Sequence, residues 1–152
     1  MLKKMTIASA LFLATLIMTG CSSEAPNQTS ASEAETNNQT SATEKVVVAD
    51  FHGTQRCYSC KTVGKYAEAT VKKRFPEKNK KGIVVFKEIN VDLPENRDIV
   101  QKYQARGSSL YINAIRDGED NIREDSRVWR LINNKKRFMD YLEGEIRESL
   151  NQ

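Results

Sequence analysis

Residues 45–152 predict an α/β domain, a central mixed sheet flanked by helices, and three observations carry that prediction. An apolar run, Val46, Val47, Val48 and Phe51, is followed after Cys57 and Cys60 by apolar residues at helical spacing. A second strand pattern, rich in β-branched residues, fills 83–91 and is again followed by a helical stretch. Then Asp117-Gly118, a tight-turn dipeptide, joins two further extended segments ahead of a terminal amphipathic stretch.

Taken in order, 46–51 reads as a buried strand and Val63, Tyr66, Ala67, Thr70 and Val71 as the inner side of a helix that Pro76 ends just after Phe75. Residues 77–82 read as a polar loop into the strand at 83–91. Asp92 is placed to cap a helix, with Glu95 three positions on, and Ile99, Val100 and Tyr103 give that short helix an apolar side. Residues 110–115 form a third strand and 121–124 a weakly signalled returning edge strand. Phe138, Tyr141, Leu142, Ile146 and Leu150 supply the apolar side of the last helix, with Trp129 as a packing anchor beside Val128, Leu131 and Ile132.

The N-terminal third has a different composition. Residues 1–20 read as a secretory signal, with Lys3 and Lys4 ahead of an uncharged, mostly apolar core too short to span a bilayer comfortably. Met18-Thr19-Gly20-Cys21 resembles the bacterial lipobox, which implies cleavage before Cys21, lipidation of that cysteine and a membrane-anchored body outside the cytoplasm, in the bacterial cell envelope. Residues 22–44 are Ser, Thr, Asn, Gln, Ala and Glu with one proline and no large apolar residue, so 21–44 is expected to be a lipidated, disordered tether.

Leaving out the charges before residue 45, the domain has 22 basic and 16 acidic residues, formally +6. Clusters such as Lys72-Lys73-Arg74 and Lys135-Lys136-Arg137 fall on helical stretches with no interleaved aromatic stripe. They read as solvated surface, and no nucleic-acid partner is expected.

The chemistry concentrates at Arg56-Cys57-Tyr58-Ser59-Cys60-Lys61. At a strand-to-helix junction the first sulfur sits over the free N–H groups of the helix start, which stabilise a thiolate. Arg56 and Lys61 add positive charge near it.

At this point the chain resembles thioredoxins. Strand, helix, strand, helix, hairpin, helix is the element order of that fold. Asp50-Phe51 is similar to the Asp-Phe that ends the strand before the thioredoxin dithiol, with one extra residue before Cys57, and Asn90-Val91-Asp92 to the end of the family's central strand. In that register the lysine that pairs with the buried aspartate in bacterial thioredoxins falls on Glu88, with Lys87 facing the other side of the sheet. Tyr103-Gln104-Ala105-Arg106-Gly107 resembles the segment leading to the loop that faces the active site, Ser109 stands where thioredoxins have a cis-proline, and Arg56 stands where they have tryptophan. More narrowly, the segment from Phe51 to Cys57 with Cys60, together with Asn90-Val91-Asp92 and Pro94-Glu95-Asn96, resembles a bacterial lipoprotein group, the nitrophenyl compound nitroreductase subunit ArsF family. No flavin fingerprint is visible, so that resemblance implies an electron-relaying subunit rather than a nitroreductase in itself.

The expected function is thiol–disulfide exchange without a cofactor. Cys57 is the attacking thiolate, Cys60 the resolving thiol, Asp50 the group that handles protons during resolution, and Ser109 a hydroxyl near the dithiol. The partners implied are proteins with disulfides or dithiols, a membrane electron-transfer protein among them. Two other readings stay open: copper(I) delivery through Cys57, Cys60 and His52, and an inert disulfide stabilising a binding domain. A closed zinc site needs four ligands, which this domain does not offer in Cys and His, so no metal is assigned.

Overall fold

The computed structural model describes residues 42–151. The signal segment, Cys21 and nearly all of the tether lie outside the described residues.

Strand β1, Lys45–His52, leads through a short loop to helix α1, Tyr58–Arg74. A short helix α2, Pro76–Lys80, precedes β2, Val84–Asn90. A 3-10 turn, Pro94–Asn96, runs into α3, Arg97–Tyr103. Strands β3, Ser109–Arg116, and β4, Glu119–Glu124, form a hairpin; a 3-10 turn, Ser126–Arg130, and α4, Lys135–Asn151, complete the domain.

The sheet order is β2-β1-β3-β4. β1 and β2 are parallel, with Val46 opposite Val84 and Asp50 opposite Glu88. β3 is antiparallel to both β1 and β4. A parallel pair joined across a helix, then an antiparallel hairpin on the other side of the first strand, is a thioredoxin-like fold.

β1 is central and buried on both faces, which is why its sequence is an apolar run rather than an alternation. Val46 and Val48 pack with Val63, Ala67 and Val71 of α1 and with Phe138, Leu142 and Ile146 of α4. Val47, Ala49 and Phe51 point the opposite way, to Tyr103 and Ala105 at the end of α3 and to Tyr111. Phe51, Tyr103 and Tyr111 form a ring cluster with centroids 5.1 to 5.6 Å apart. Trp129 is partly buried against the α1–α4 side. The strict two-residue period of β1 puts Asp50 on the same face as Val46 and Val48, beneath α1.

Two local expectations are corrected. The sequence predicts a polar loop over 77–82, yet Pro76 opens α2: proline lacks an N–H and has a fixed φ, which suits the first position of a helix as well as it stops the one before. Asp92 does not cap a helix. The turn at Pro94–Asn96 starts from Leu93 without a side-chain cap, and the Asp92 carboxylate accepts a hydrogen bond from the Thr54 N–H at 2.7 Å instead. At the hairpin, Asp117 and Gly118 have φ of 50° and 76°, the positive pair that a two-residue turn between twisted strands requires.

Candidate dithiol site

The loop between β1 and α1 is held from the side by the end of β2. Thr54 donates its N–H to Asp92 Oδ2, Asn90 Nδ2 donates to Thr54 Oγ1 at 3.1 Å, and the Asp92 N–H returns to Asn90 Oδ1 at 3.0 Å. The Thr54 bonds hold the Asp92 carboxyl below its ordinary range. This clip fixes where the chain turns into α1, and so where Cys57 stands.

Cys57 is the N-cap of α1, extended at φ −71° and ψ 168°, and its sulfur accepts the Cys60 N–H at 3.2 Å. The two cysteines are joined as a disulfide, with Cα atoms 5.2 Å apart. Cys57 is exposed and Cys60 is half-buried. Cys57 is therefore the sulfur more open to solvent, and Cys60 lies within the same helical turn. Beside the pair, Tyr58 is 80% exposed, an isolated aromatic ring at the mouth of the site.

Asp50, 1% exposed, is tied to the dithiol turn through Arg56. Arg56 Nη2 donates to its Oδ2 at 2.9 Å and to the Cys60 carbonyl at 3.3 Å, while Nη1 pairs with Glu88 Oε1. One guanidinium thus bridges two carboxylates that the parallel register sets side by side. Burial raises the Asp50 pKa from 3.8 to about 7; the Arg56 charge lowers it, and Glu88 adds to the rise. The space for this group comes from Gly64: a Cβ there would lie 2.8 Å from Arg56 Nη2 and 3.2 Å from Asp50 Cγ. An Arg56 Nε atom remains buried without a partner.

Asp50, Arg56, Cys57 and Cys60 are thus brought together, but Arg56 faces Asp50 and Glu88 rather than the exposed sulfur. Ser109 opens β3 opposite Phe51 and is 6% exposed; its hydroxyl donates to the Gly107 carbonyl at 3.1 Å. His52 Nδ1 lies 2.9 Å from the Gly53 carbonyl, and among the described residues no three His, Cys, Asp or Glu side chains gather as a metal-binding group. Cys21 lies outside the described residues. Sequence reasoning missed Glu88 as a member of the site and Gly64 as its spacer. The signal for Gly64 was present, since a glycine inside an amphipathic helix marks a close approach.

No protein-family model matches the chain, and no curated protein does. Among solved structures, the zinc-bound form of human ERp44 is similar over 66% of this chain, with 23% identity and a TM-score of 0.46. The match covers 26% of that ERp44 chain, so this protein spans about a quarter of its length. Fasciola hepatica thioredoxin matches over 63% of this chain and 83% of its own, with 23% identity and a TM-score of 0.40. The germline-specific thioredoxin Deadhead of Drosophila melanogaster matches over 65% and 79%, with 20% identity and a TM-score of 0.37.

Proposed function

We propose that this protein is a membrane-anchored thiol–disulfide oxidoreductase that relays electrons to or from partner proteins outside the cytoplasm. The observation that carries the reading is the asymmetry of the pair: Cys57 is exposed, at a helix N-cap and bonded to an N–H, whereas Cys60 is half-buried and its carbonyl shares the Arg56 guanidinium with the buried Asp50.

The reductive half-reaction begins with the Cys57 thiolate, which attacks one sulfur of a partner disulfide. A mixed disulfide forms and the partner's first thiolate leaves. The Cys60 thiolate then attacks Cys57 Sγ, the Cys57–Cys60 disulfide closes and the partner's second thiolate departs, so two electrons pass to the partner. The reverse sequence oxidises a partner dithiol. Cys60 must lose a proton before it attacks, and Asp50, with a pKa of about 7, is suited to take it near neutral pH.

Anchoring rests on Cys21 and the resemblance of residues 18–21 to a lipobox, and the narrower resemblance to the ArsF lipoprotein group supports a place as an electron-relaying subunit. A Cys60→Ser variant of the full chain tests the exchange reading. It is expected to trap mixed disulfides through Cys57, visible by non-reducing electrophoresis and lost in Cys57→Ser. No trapped species with any disulfide substrate sinks the proposal. Fatty-acid label that persists in Cys21→Ala removes the anchor.

A further inference from the structure

Within the described residues some arginines on the α1–α4 side pair with carboxylates and others do not. Arg74, Arg123 and Arg147 each pair with a carboxylate, from Asp140 and Glu143, Glu145, and Glu143 respectively. Arg127, Arg130 and Arg137 have no carboxylate in any described ion pair, yet they line one open cavity of about 570 Å³ together with Ser126 and Leu131. All three are exposed. The Arg127 guanidinium is steadied 4.9 Å above the Tyr141 ring, and its backbone N–H is held at 3.1 Å by Asp125 Oδ1, which also accepts the Tyr141 hydroxyl. Three like charges gathered around a cavity whose lining holds no carboxylate repel one another, and an anion placed between them relieves that cost.

The cavity belongs to the dithiol end of the sheet. The Asp125 N–H donates to the Leu110 carbonyl at 2.8 Å, and Leu110 is in register with Asp50. The 3-10 turn Ser126–Arg130 packs against α1 and β3, and its Val128 is buried in the same cluster as Val63, three residues after Cys60. Further exposed positive charge lies on the two neighbouring helices. Lys61 and Lys65 are exposed on α1, and Lys135 Nζ lies 5.6 Å from the centre of the Tyr66 ring. The first turn of α4 adds to the field, because Lys135 and Arg137 sit there against the helix dipole with no acidic residue in that turn, while Lys136 pairs with Asp140 at 2.6 Å.

We propose that the cavity lined by Arg127, Arg130 and Arg137 receives an acidic segment of the partner protein whose disulfide or dithiol exchanges with Cys57. The inference rests on the exchange reading above and names the chemistry of its substrate. Guanidiniums in threes suit carboxylates, which they grip in pairs of hydrogen bonds, and Leu131 provides an apolar wall for the chain that carries them. A protein segment fits better than a membrane surface, because lipid headgroups held here would press the dithiol end of the domain against the bilayer and shut out the partner.

The test uses the reduced full chain and two disulfide peptides of equal length, one with an aspartate run beside its disulfide and one with serines there. At about 50 mM salt the acidic peptide is expected to exchange about 10-fold faster, and the advantage should shrink to less than about 2-fold near 0.5 M salt. The triple variant Arg127→Gln, Arg130→Gln, Arg137→Gln should lose the preference while its rate with the serine peptide stays unchanged, which also shows that it folds. Equal rates for the two peptides, or a triple variant that keeps the preference, overturns the inference and leaves the exchange reading standing. No exchange with either peptide refutes the exchange reading and the inference with it. Binding to phosphatidylglycerol vesicles that the triple variant loses, with its peptide preference intact, assigns the arginines to the membrane and also overturns the proposal.

Discussion

Asp50 and Asp125 are both shut away from water, 1% and 3% exposed, and burial raises the pKa of each, but they do opposite things for the fold. Asp125 caps the 3-10 turn: its Oδ1 accepts the Arg127 N–H and the Tyr141 hydroxyl, each at 3.1 Å, so its burial satisfies a backbone donor and ties α4 to β4. The Asp50 carboxylate satisfies no backbone group in any described hydrogen bond; its donor is Arg56, which Glu88 also claims. A buried carboxylate that braces the backbone explains itself by stability. One that does not calls for another account, and the exchange proposed at the dithiol supplies it.

The sharpest test of the contrast is asparagine at each position. Asp50→Asn should slow resolution of the mixed disulfide by about 100-fold, the scale of a lost general base, measured as the rate of release from a trapped partner. The same variant should be more stable, by about 4 kcal/mol at pH 8. The sign follows from a folded pKa, about 7, that lies above the ordinary 3.8. The folded state keeps a proton that the unfolded chain has lost, so stability falls as pH rises between 3.8 and about 7, and the gain from Asn, absent below that window, is complete above it. Asp125→Asn should leave exchange unchanged. Denaturant curves at pH 5 and pH 8 that coincide for wild type and Asp50→Asn would break the comparison.

Gly64→Val addresses the space around Asp50. Its side chain would overlap the Asp50 carboxyl and the Arg56 guanidinium, and a loss of about 2–3 kcal/mol is expected in urea unfolding, because a packed helix–sheet contact cannot give way freely. Gly144, with nothing within 4 Å of an added Cβ, supplies the control: Gly144→Ala should stabilise α4 slightly.

Arg56→Met removes the charge that holds Asp50 down, so the Asp50 pKa should climb above its present value. The pH at which resolution reaches half its maximum should then move up by about one unit, read from stopped-flow rates between pH 5 and 9. A profile that stays in place would separate Asp50 from the rate-limiting proton transfer.

The smallest effect is expected on the structural side. Tyr141→Phe deletes one donor to Asp125, whose Oδ2 is already without a partner, and should cost about 1 kcal/mol with no change in exchange rate.

Much of this was legible along the chain. The mostly apolar run 46–51 of β1, the helical spacing of Val63, Ala67 and Val71, and the Asp117-Gly118 turn are local signals, and each of these elements formed where its period changed. The Cys57–Cys60 pair was readable for the same reason, since N-cap placement depends on a strand ending and a helix starting within a few residues. Residues 77–82 failed because proline ends one helix and opens another equally well, and nothing nearby told the two apart. Asp92 failed because a carboxylate able to cap its own turn was also within reach of Thr54, a competitor 38 positions earlier.

The sequence by itself determined the α/β class, the order of the elements and the place of the dithiol, because period, turn chemistry and capping are written over spans of a few residues. Only the tertiary structure decided that Arg56 bridges Asp50 to Glu88, that Gly64 makes room for them, and that Arg127, Arg130 and Arg137 share one cavity. The physical reason is that ion pairs and cavities depend on distance in space, and strand register sets Asp50 beside Glu88, 38 positions away along the chain.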